Sequence, residues 1–398
     1  MRNKFAIFLL IGILFPLSYG CAVKLTDAIH YGKVEQNEFV ETVDFEIKEG
    51  LIFVPVIVHG KEYRFLFDSG APFSISDQLR NDYAFKIVSK GNIIDSDDNR
   101  KKVNWAQVDS INIGHISFMN QTAFIGDFDA NPILQCLEID GIIGSNLMRH
   151  CNWTIDQEQQ TLSLNSTIDK NALNECAIIP FKTDYQYNIL IDLNIGQATV
   201  RNILMDYGSN GSIALSNEIF TTLKDRNIIS EAFLETGVQQ NGIIGEPVIL
   251  NREISLTDSV SIDSIHLKKV MLRTGKTVSV GNNLLSRFSI TIDWNNRNLY
   301  LCENGNIPDA YRSPGFKLGY STNKGMYVQS VIKNSIAFQK GVRPKMKVAK
   351  IDGLDFENGN DFCDYVGHEL SDSIFLQLID PKGEKLEYHI ENTILNND

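Results

Sequence analysis

The chain has 398 residues, 43% hydrophobic and 22% charged, enough for two or three domains with ordinary cores. Its formal net charge is −12 and no long block of Lys and Arg occurs, which sets nucleic acid aside as a partner because phosphate binding needs clustered positive charge. The seven histidines are scattered and there is no C-x-x-C or H-E-x-x-H, so nothing points to a metal site or to any other cofactor.

At the N-terminus, Arg2 and Lys4 precede an apolar run from Phe5 to Leu17. That run is shorter than the roughly 20 residues a spanning helix needs. Ser18-Tyr19-Gly20 then offers the small residues of a cleavage site, so residues 1–20 read as an export signal and 21–45 as a linker. Leu17 to Cys21 resembles a bacterial lipoprotein signal, with Ser18 where Leu is usual. Three fates stay open: a lipid anchor at Cys21 facing the periplasm, plain secretion as the second choice, and an uncleaved anchor. Export permits disulfides. If Cys21 is lipidated, Cys136, Cys151, Cys176, Cys302 and Cys363 remain, and at least one is unpaired.

The middle of the chain repeats itself. Residues 52–76 and 188–216 each open with an apolar strand, turn at Gly60 or Gly196, and return as a second apolar strand. The returning strands end in Asp68-Ser69-Gly70 and Asp206-Tyr207-Gly208. A second block recurs at residues 140–164 and 277–301, where Gly144, Asn146, Leu147 and Thr154-Ile155-Asp156 match Gly281, Asn283, Leu284 and Thr291-Ile292-Asp293 at a constant offset of 137. From Asp to the later Gly is 76 residues in the first copy and 75 in the second. Residues 46–168 and 175–303 therefore read as two copies of one β-rich unit, with short helices starting at Ser76, Ser216, Ser145 and Asn282.

Asp-x-Gly alone is a weak signal, but here it twice ends a strongly apolar strand, where an unpartnered carboxylate is costly to bury. The paired motifs resemble the pepsin and retropepsin family of aspartic proteases: Asp68-Ser69-Gly70 and Asp206-Tyr207-Gly208, followed by Ile142-Ile143-Gly144 and Ser279-Val280-Gly281. The resemblance implies a mainly β fold of two homologous retropepsin-like lobes in a pepsin-like arrangement on one chain, with a monomeric catalytic unit. It implies that Asp68 and Asp206 are the catalytic pair, sharing one proton and activating a water against a peptide or protein substrate. Ser69, Gly70, Tyr207, Gly208 and Ser209 would support the dyad loops. Tyr207 departs from the family, which has Thr or Ser there to brace the two loops. Ser209 is placed to hydrogen-bond Asp206 and favour its ionised form. By the same resemblance, residues Ser89–Lys102 and Thr236–Pro247 would be flaps over the cleft.

After Pro308 and Pro314 the pattern changes. Residues 316–353 resemble a PDZ domain, which would make 314–393 a C-terminal PDZ-like α+β domain. Leu318-Gly319-Tyr320 would be the loop that holds a peptide C-terminus, either a substrate's or the chain's own. The alternative is a packing module that binds no peptide. As a detachable module, its removal after Asn304 is expected to spare chemistry on short peptides. For the whole chain two classes of function compete: an aspartic endopeptidase, and a non-catalytic peptide-binding protein on the same scaffold. Tyr207 favours the second, and retention of both Asp residues favours the first.

Overall fold

The computed structural model describes residues 24–229, 231–304, 311–380 and 382–394; residues 1–20, read as an export signal, and Cys21 lie outside them. The chain is mainly β, with short helices at the strand ends. In the first repeat, Leu51–Val58 and Lys61–Asp68 form a hairpin whose turn, His59-Gly60, has positive φ at both residues. Lys61–Asp68 lies beside the parallel strand Gly141–Gly144, with Phe67 opposite Ile143 and Asp68 opposite Gly144. The second repeat folds alike: Ile189–Ile195 and Ala198–Met205 pair, and Met205 lies parallel to Val280. Helices Asp77–Asp82 and Asn217–Asp225 start where Ser76 and Ser216 accept the N–H of Leu79 and Ile219.

A six-stranded sheet joins the two repeats. At its centre Asn152–Asp156 pairs antiparallel with Phe288–Asp293, Trp153 opposite Ile292, Thr154 opposite Thr291 and Ile155 opposite Ile290. These partners are repeat-equivalent positions exchanged across a local two-fold. One core runs through both repeats, with Phe67, Trp153, Tyr207, Phe220 and Ile290 fully buried in it.

Residues 21–45, read as a linker, are built into the fold from Leu25 onward. Helix Leu25–Ala28 packs near Trp105, Lys33–Val34 pairs with Ile116–Gly126, and Val40–Asp44 pairs with Thr161–Asn165. The segment covers two sheet edges that would otherwise expose unpaired N–H and C=O groups. In Val40–Asp44 Val43 is only partly buried and Val40 is exposed, which is why the sequence signal is weak.

The C-terminal segment is not a separate bead. Strand Phe233–Gln239 of the second repeat pairs with Gly325–Ile332, Thr236 opposite Val331, so one sheet continues from repeat to segment. Leu51, Phe53, Leu66 and Ile142 of the first repeat share a core with Phe316, Leu318, Val328, Ile351, Phe362 and Ile374. This explains the first hairpin's apolarity on both faces: one face meets the central core, the other meets the C-terminal segment. Disulfide Cys136–Cys363 joins helix Pro132–Leu137 to helix Phe362–Val366, Cys176–Cys302 closes a second loop, and Cys151 is buried and free among the described residues.

Candidate active site

The two hairpins deliver Asp68 and Asp206 to the same point. Both carboxylates are partly exposed, and they share a hydrogen bond. Gly70 N–H donates to Asp68 Oδ1 at 2.8 Å and Gly208 N–H to Asp206 Oδ1 at 3.1 Å. Neither glycine has positive φ; each is needed because it faces the opposite carboxylate. A Cβ on Gly70 would lie 2.7 Å from Asp206 Oδ1, and one on Gly208 2.3 Å from Asp68 Cγ.

Burial raises the Asp68 carboxyl above the ordinary carboxylate range, against the N–H groups of Gly70, Ala71 and Gly208, which hold it down. Burial also raises Asp206, and there the Asp68 charge adds to the rise, while the Gly208 N–H and the Arg273 charge oppose it. The shared hydrogen bond lowers Asp68 and raises Asp206, so the two carboxyls titrate as one coupled pair that holds a proton between them.

Beneath the pair, fully buried Ser69 Oγ donates to Met205 C=O at 2.5 Å and accepts Tyr207 N–H at 3.2 Å, which ties the first loop to the second. No matching bond returns from Tyr207. Its ring is fully buried, edge-on to Phe67 at 5.3 Å, and its hydroxyl has no hydrogen-bond partner among the described residues. Burial pushes that phenol's pKa upward. The bracing of the loops is therefore one-sided.

Ser209 does not reach Asp206 as expected. Its hydroxyl closes its own turn by accepting Gly211 N–H at 3.3 Å and meets Arg273 Nη2 at 3.4 Å. Behind the loops pass the two later glycines: a Cβ on Gly144 would lie 2.1 Å from Pro72 C, and one on Gly281 2.5 Å from Ser209 O. The one-turn helices that follow hold the loops through asparagines. Asn146 Oδ1 accepts Phe73 N–H at 2.6 Å, and Asn282 Nδ2 donates to Tyr207 C=O at 2.9 Å and Gly50 C=O at 2.8 Å. Asn282 and Arg273 were missed in the sequence. Asn282 is one position ahead of Asn283, the residue aligned with Asn146, and Arg273 falls in no motif.

The segments read as flaps, Ser89–Lys102 and Thr236–Pro247, lie at the ends of two hairpins, Lys86–Ile94 with Arg100–Ile113 and Phe233–Gln239 with Val248–Thr257, and the two ends touch. Asp97 accepts Gln239 Nε2 at 2.7 Å and Asn241 N–H at 2.7 Å, Asp95 accepts Ile244 N–H at 3.2 Å, and Asn99 Nδ2 donates to Glu246 C=O at 3.0 Å.

Leu318, Gly319 and Tyr320 form no open loop. They lie on strand Phe316–Ser321, opposite Val328, Tyr327 and Met326. The turn to the next strand is short, so pairing runs up to Ser321 opposite Gly325. The Leu318 N–H meets the Tyr365 hydroxyl, and Phe362 stacks on Tyr320 at 5.7 Å.

Residues 54–147, which include Asp68 and Gly144, match the protein family described as Aspartyl protease. Among solved structures the chain is similar to a retropepsin-like aspartic protease from Rickettsia conorii, at 18% identity over 33% of this chain and 95% of that one, with a TM-score of 0.24. No curated protein matches the chain. The family match supports an aspartic protease, a peptidase of the hydrolase class, in the segment that carries Asp68.

Proposed function

We propose that the chain is an aspartic endopeptidase whose two repeats act as paired lobes in the pepsin manner, with Asp68 and Asp206 as its dyad. The observation that carries this reading is the hydrogen-bonded carboxylate pair, partly open to solvent, with a Gly N–H on each member and Ser69 tying the loops below. Asp68, ionised, takes a proton from water as the water oxygen attacks the peptide carbonyl carbon. Asp206 gives its proton to the carbonyl oxygen, producing a neutral geminal diol. On collapse Asp68 passes its proton to the departing nitrogen, Asp206 recovers one from a diol hydroxyl, and the C–N bond breaks. Both carboxyls return to their starting states.

The PDZ-like segment serves in this reading as a fixed wall of the cleft. Its would-be carboxylate loop is a paired strand, the Leu318 N–H is already engaged, and the segment is tethered by Cys136–Cys363. The two disulfides fit an exported protein, in the periplasm, lipid-anchored at Cys21, or secreted.

A second reading, a peptide-binding protein that does not cleave, is favoured by the one-sided brace at Tyr207. Incubation with a mixed peptide library, with and without an aspartyl-protease inhibitor, separates the two. Inhibitor-sensitive cleavage supports the peptidase, and retention of intact peptides supports the binder.

A further inference from the structure

We propose that the two hairpin ends form a latched roof over Asp68 and Asp206, so that the enzyme takes polypeptide with a free chain end, threaded beneath the roof, and not closed loops. This deepens the peptidase reading and rests on it for its chemistry; the roof rests on geometry.

Three contacts join equivalent parts of the two repeats. Thr154 lies opposite Thr291 in the shared sheet, Asp68 shares a hydrogen bond with Asp206, and the two hairpin ends meet each other. The hairpins are equivalent because each follows the serine-capped helix of its repeat, Asp77–Asp82 or Asn217–Asp225. Contacts between equivalent parts lie at or near a two-fold axis, so these three fall along one line. Core side chains fill that line between the shared sheet and the dyad: Trp153 meets Phe67 at 5.8 Å, and Phe67 meets Tyr207 at 5.3 Å. The hairpin ends therefore take the opposite side, the one toward which the dyad's partly exposed carboxyls open. A peptide bond at the dyad has the carboxyls as its floor and the joined ends as its roof.

The joint closes around buried polar groups. Asp97 of the first hairpin is 4% exposed and takes three donors from the second: Gln239 Nε2 at 2.7 Å, Asn241 N–H at 2.7 Å and Gly242 N–H at 3.0 Å. Asp95 takes the Ile244 N–H at 3.2 Å, and Gly242 is required beside it, since a Cβ there would lie 2.0 Å from Asp95 Oδ2. Buried Asn131 donates from Nδ2 to Gln240 C=O at 3.1 Å and Gly242 C=O at 3.0 Å, so the first repeat holds residues 240–246 from two sides. Ile243 packs on the cluster of Trp105 and Phe124 in the first repeat. Parting the ends would leave a carboxylate without its donors, and each hydrogen bond to a charged group is worth about tenfold or more in population. A linear chain passes under such a roof end first. A closed loop has no end to pass and must wait for the roof to part.

The test uses the full mature chain. A peptide found cleaved from a mixed library is made in a linear form and as a head-to-tail ring closed by a flexible Gly/Ser stretch, on the order of 30 residues in all. Only rings that an unrelated protease cuts as fast as the linear form are used, so that closure itself is no hindrance. We expect the linear form to exceed the ring in kcat/KM by about a hundredfold or more, the worth of two charge-assisted hydrogen bonds. Asp97→Ala and Gln239→Ala should each bring the ratio toward one by speeding cleavage of the ring, with cleavage of the linear form retained. Gln239→Ala removes a single bond and decides alone if Asp97→Ala does not fold. A wild-type ratio near one, or a ratio unmoved in every folded variant, overturns the roof. If the wild type cleaves nothing, the peptidase reading fails separately. Retention of the two forms on immobilised protein then decides the roof: preference for the linear form, lost in Gln239→Ala, supports it, and equal retention or none overturns it.

Discussion

Thr154 and Thr291 sit 137 positions apart in the chain, and their hydroxyls meet at 2.9 Å where the two repeats join. They are the same position of the repeated Thr-Ile-Asp motif, each paired with its own counterpart, so the local two-fold passes between them. One hydroxyl donates to the other, and removing either leaves its partner, buried Thr291 or half-buried Thr154, without that bond. Thr154→Val and Thr291→Val should each cost about 1 kcal/mol of stability, and the double variant less than the sum. Chemical denaturation of the four proteins checks this. Full additivity would mean that the hydroxyls do not interact.

The shared proton makes a direct claim about the dyad. Asp68→Asn and Asp206→Asn should each abolish turnover, since one removes the base and the other the acid. Both should fold, because Asn keeps the shape and relieves the crowding of two carboxyls. Peptide cleavage beside thermal melting checks the pair, and substantial residual turnover in either variant would remove it from the mechanism.

The repeat, both Asp residues and the caps at Ser76 and Ser216 were legible because each rests on local pattern: apolar strand, Asp-x-Gly, then a capping serine. What was not legible depends on distant partners. Arg273 lies in an ordinary strand, and only the pairing Ile254 opposite Arg273 brings it into line with Arg252 and Glu235. The hydroxyl of Ser209 was expected to donate to Asp206, whereas in the fold it accepts the Gly211 N–H two residues on, a turn the motif does not announce. Leu318-Gly319-Tyr320 was misread as a loop because its motif describes composition, whereas hydrogen bonding across to Gly325–Ile332 is set by how short the intervening turn is. The linker reading failed at Val40–Asp44, whose inward face is too thin to announce a strand.

Tyr207 offers a test that separates its ring from its hydroxyl. The ring fills the core against Phe67, and the hydroxyl is buried without a partner among the described residues. Tyr207→Phe should therefore leave stability unchanged or raise it by about 1 kcal/mol. Tyr207→Thr leaves a cavity and should cost about 2–4 kcal/mol. Equilibrium unfolding reads both. A clear loss in the Phe variant would show that the hydroxyl is engaged after all.

Both carboxyls of the dyad are raised above the ordinary range by burial, and Asp206 further by the Asp68 charge. A folded-state pKa above the unfolded value gives a contribution that is complete below the unfolded value and is lost as pH rises through the folded one. The dyad's share of stability should therefore be full in acid and disappear toward alkaline pH, where Asp206 must ionise beside Asp68. Turnover should fall over the same range, since it needs that proton. In Asp206→Asn nothing ionises at that position, so its melting temperature should decline less with pH than the wild type's. Parallel declines would place the pH dependence elsewhere.

The C-terminal segment decides whether the molecule can be shortened. As a separate module it could be cut off after Asn304 with the dyad's chemistry on short peptides intact. Its contacts argue otherwise. Removal would bare Leu51, Phe53, Leu66 and Ile142, which it covers, and burial of each such side chain stabilises by about 1.5–3 kcal/mol. It would also strip Phe233–Gln239 of the strand opposite Thr236 and leave Glu235 without Ser330. These losses together rival the whole stability of an ordinary domain. Truncation after Asn304 should thus yield an insoluble or unfolded chain, inactive on short peptides and on proteins alike. Cys136→Ser with Cys363→Ser is the milder change. It keeps every packed surface and removes only the covalent tie, so it should fold with a lower melting temperature, the loss being about 2–4 kcal/mol. Expression, circular dichroism and melting of the two proteins check both outcomes. A soluble, folded truncation that still cleaves short peptides would restore the detachable module.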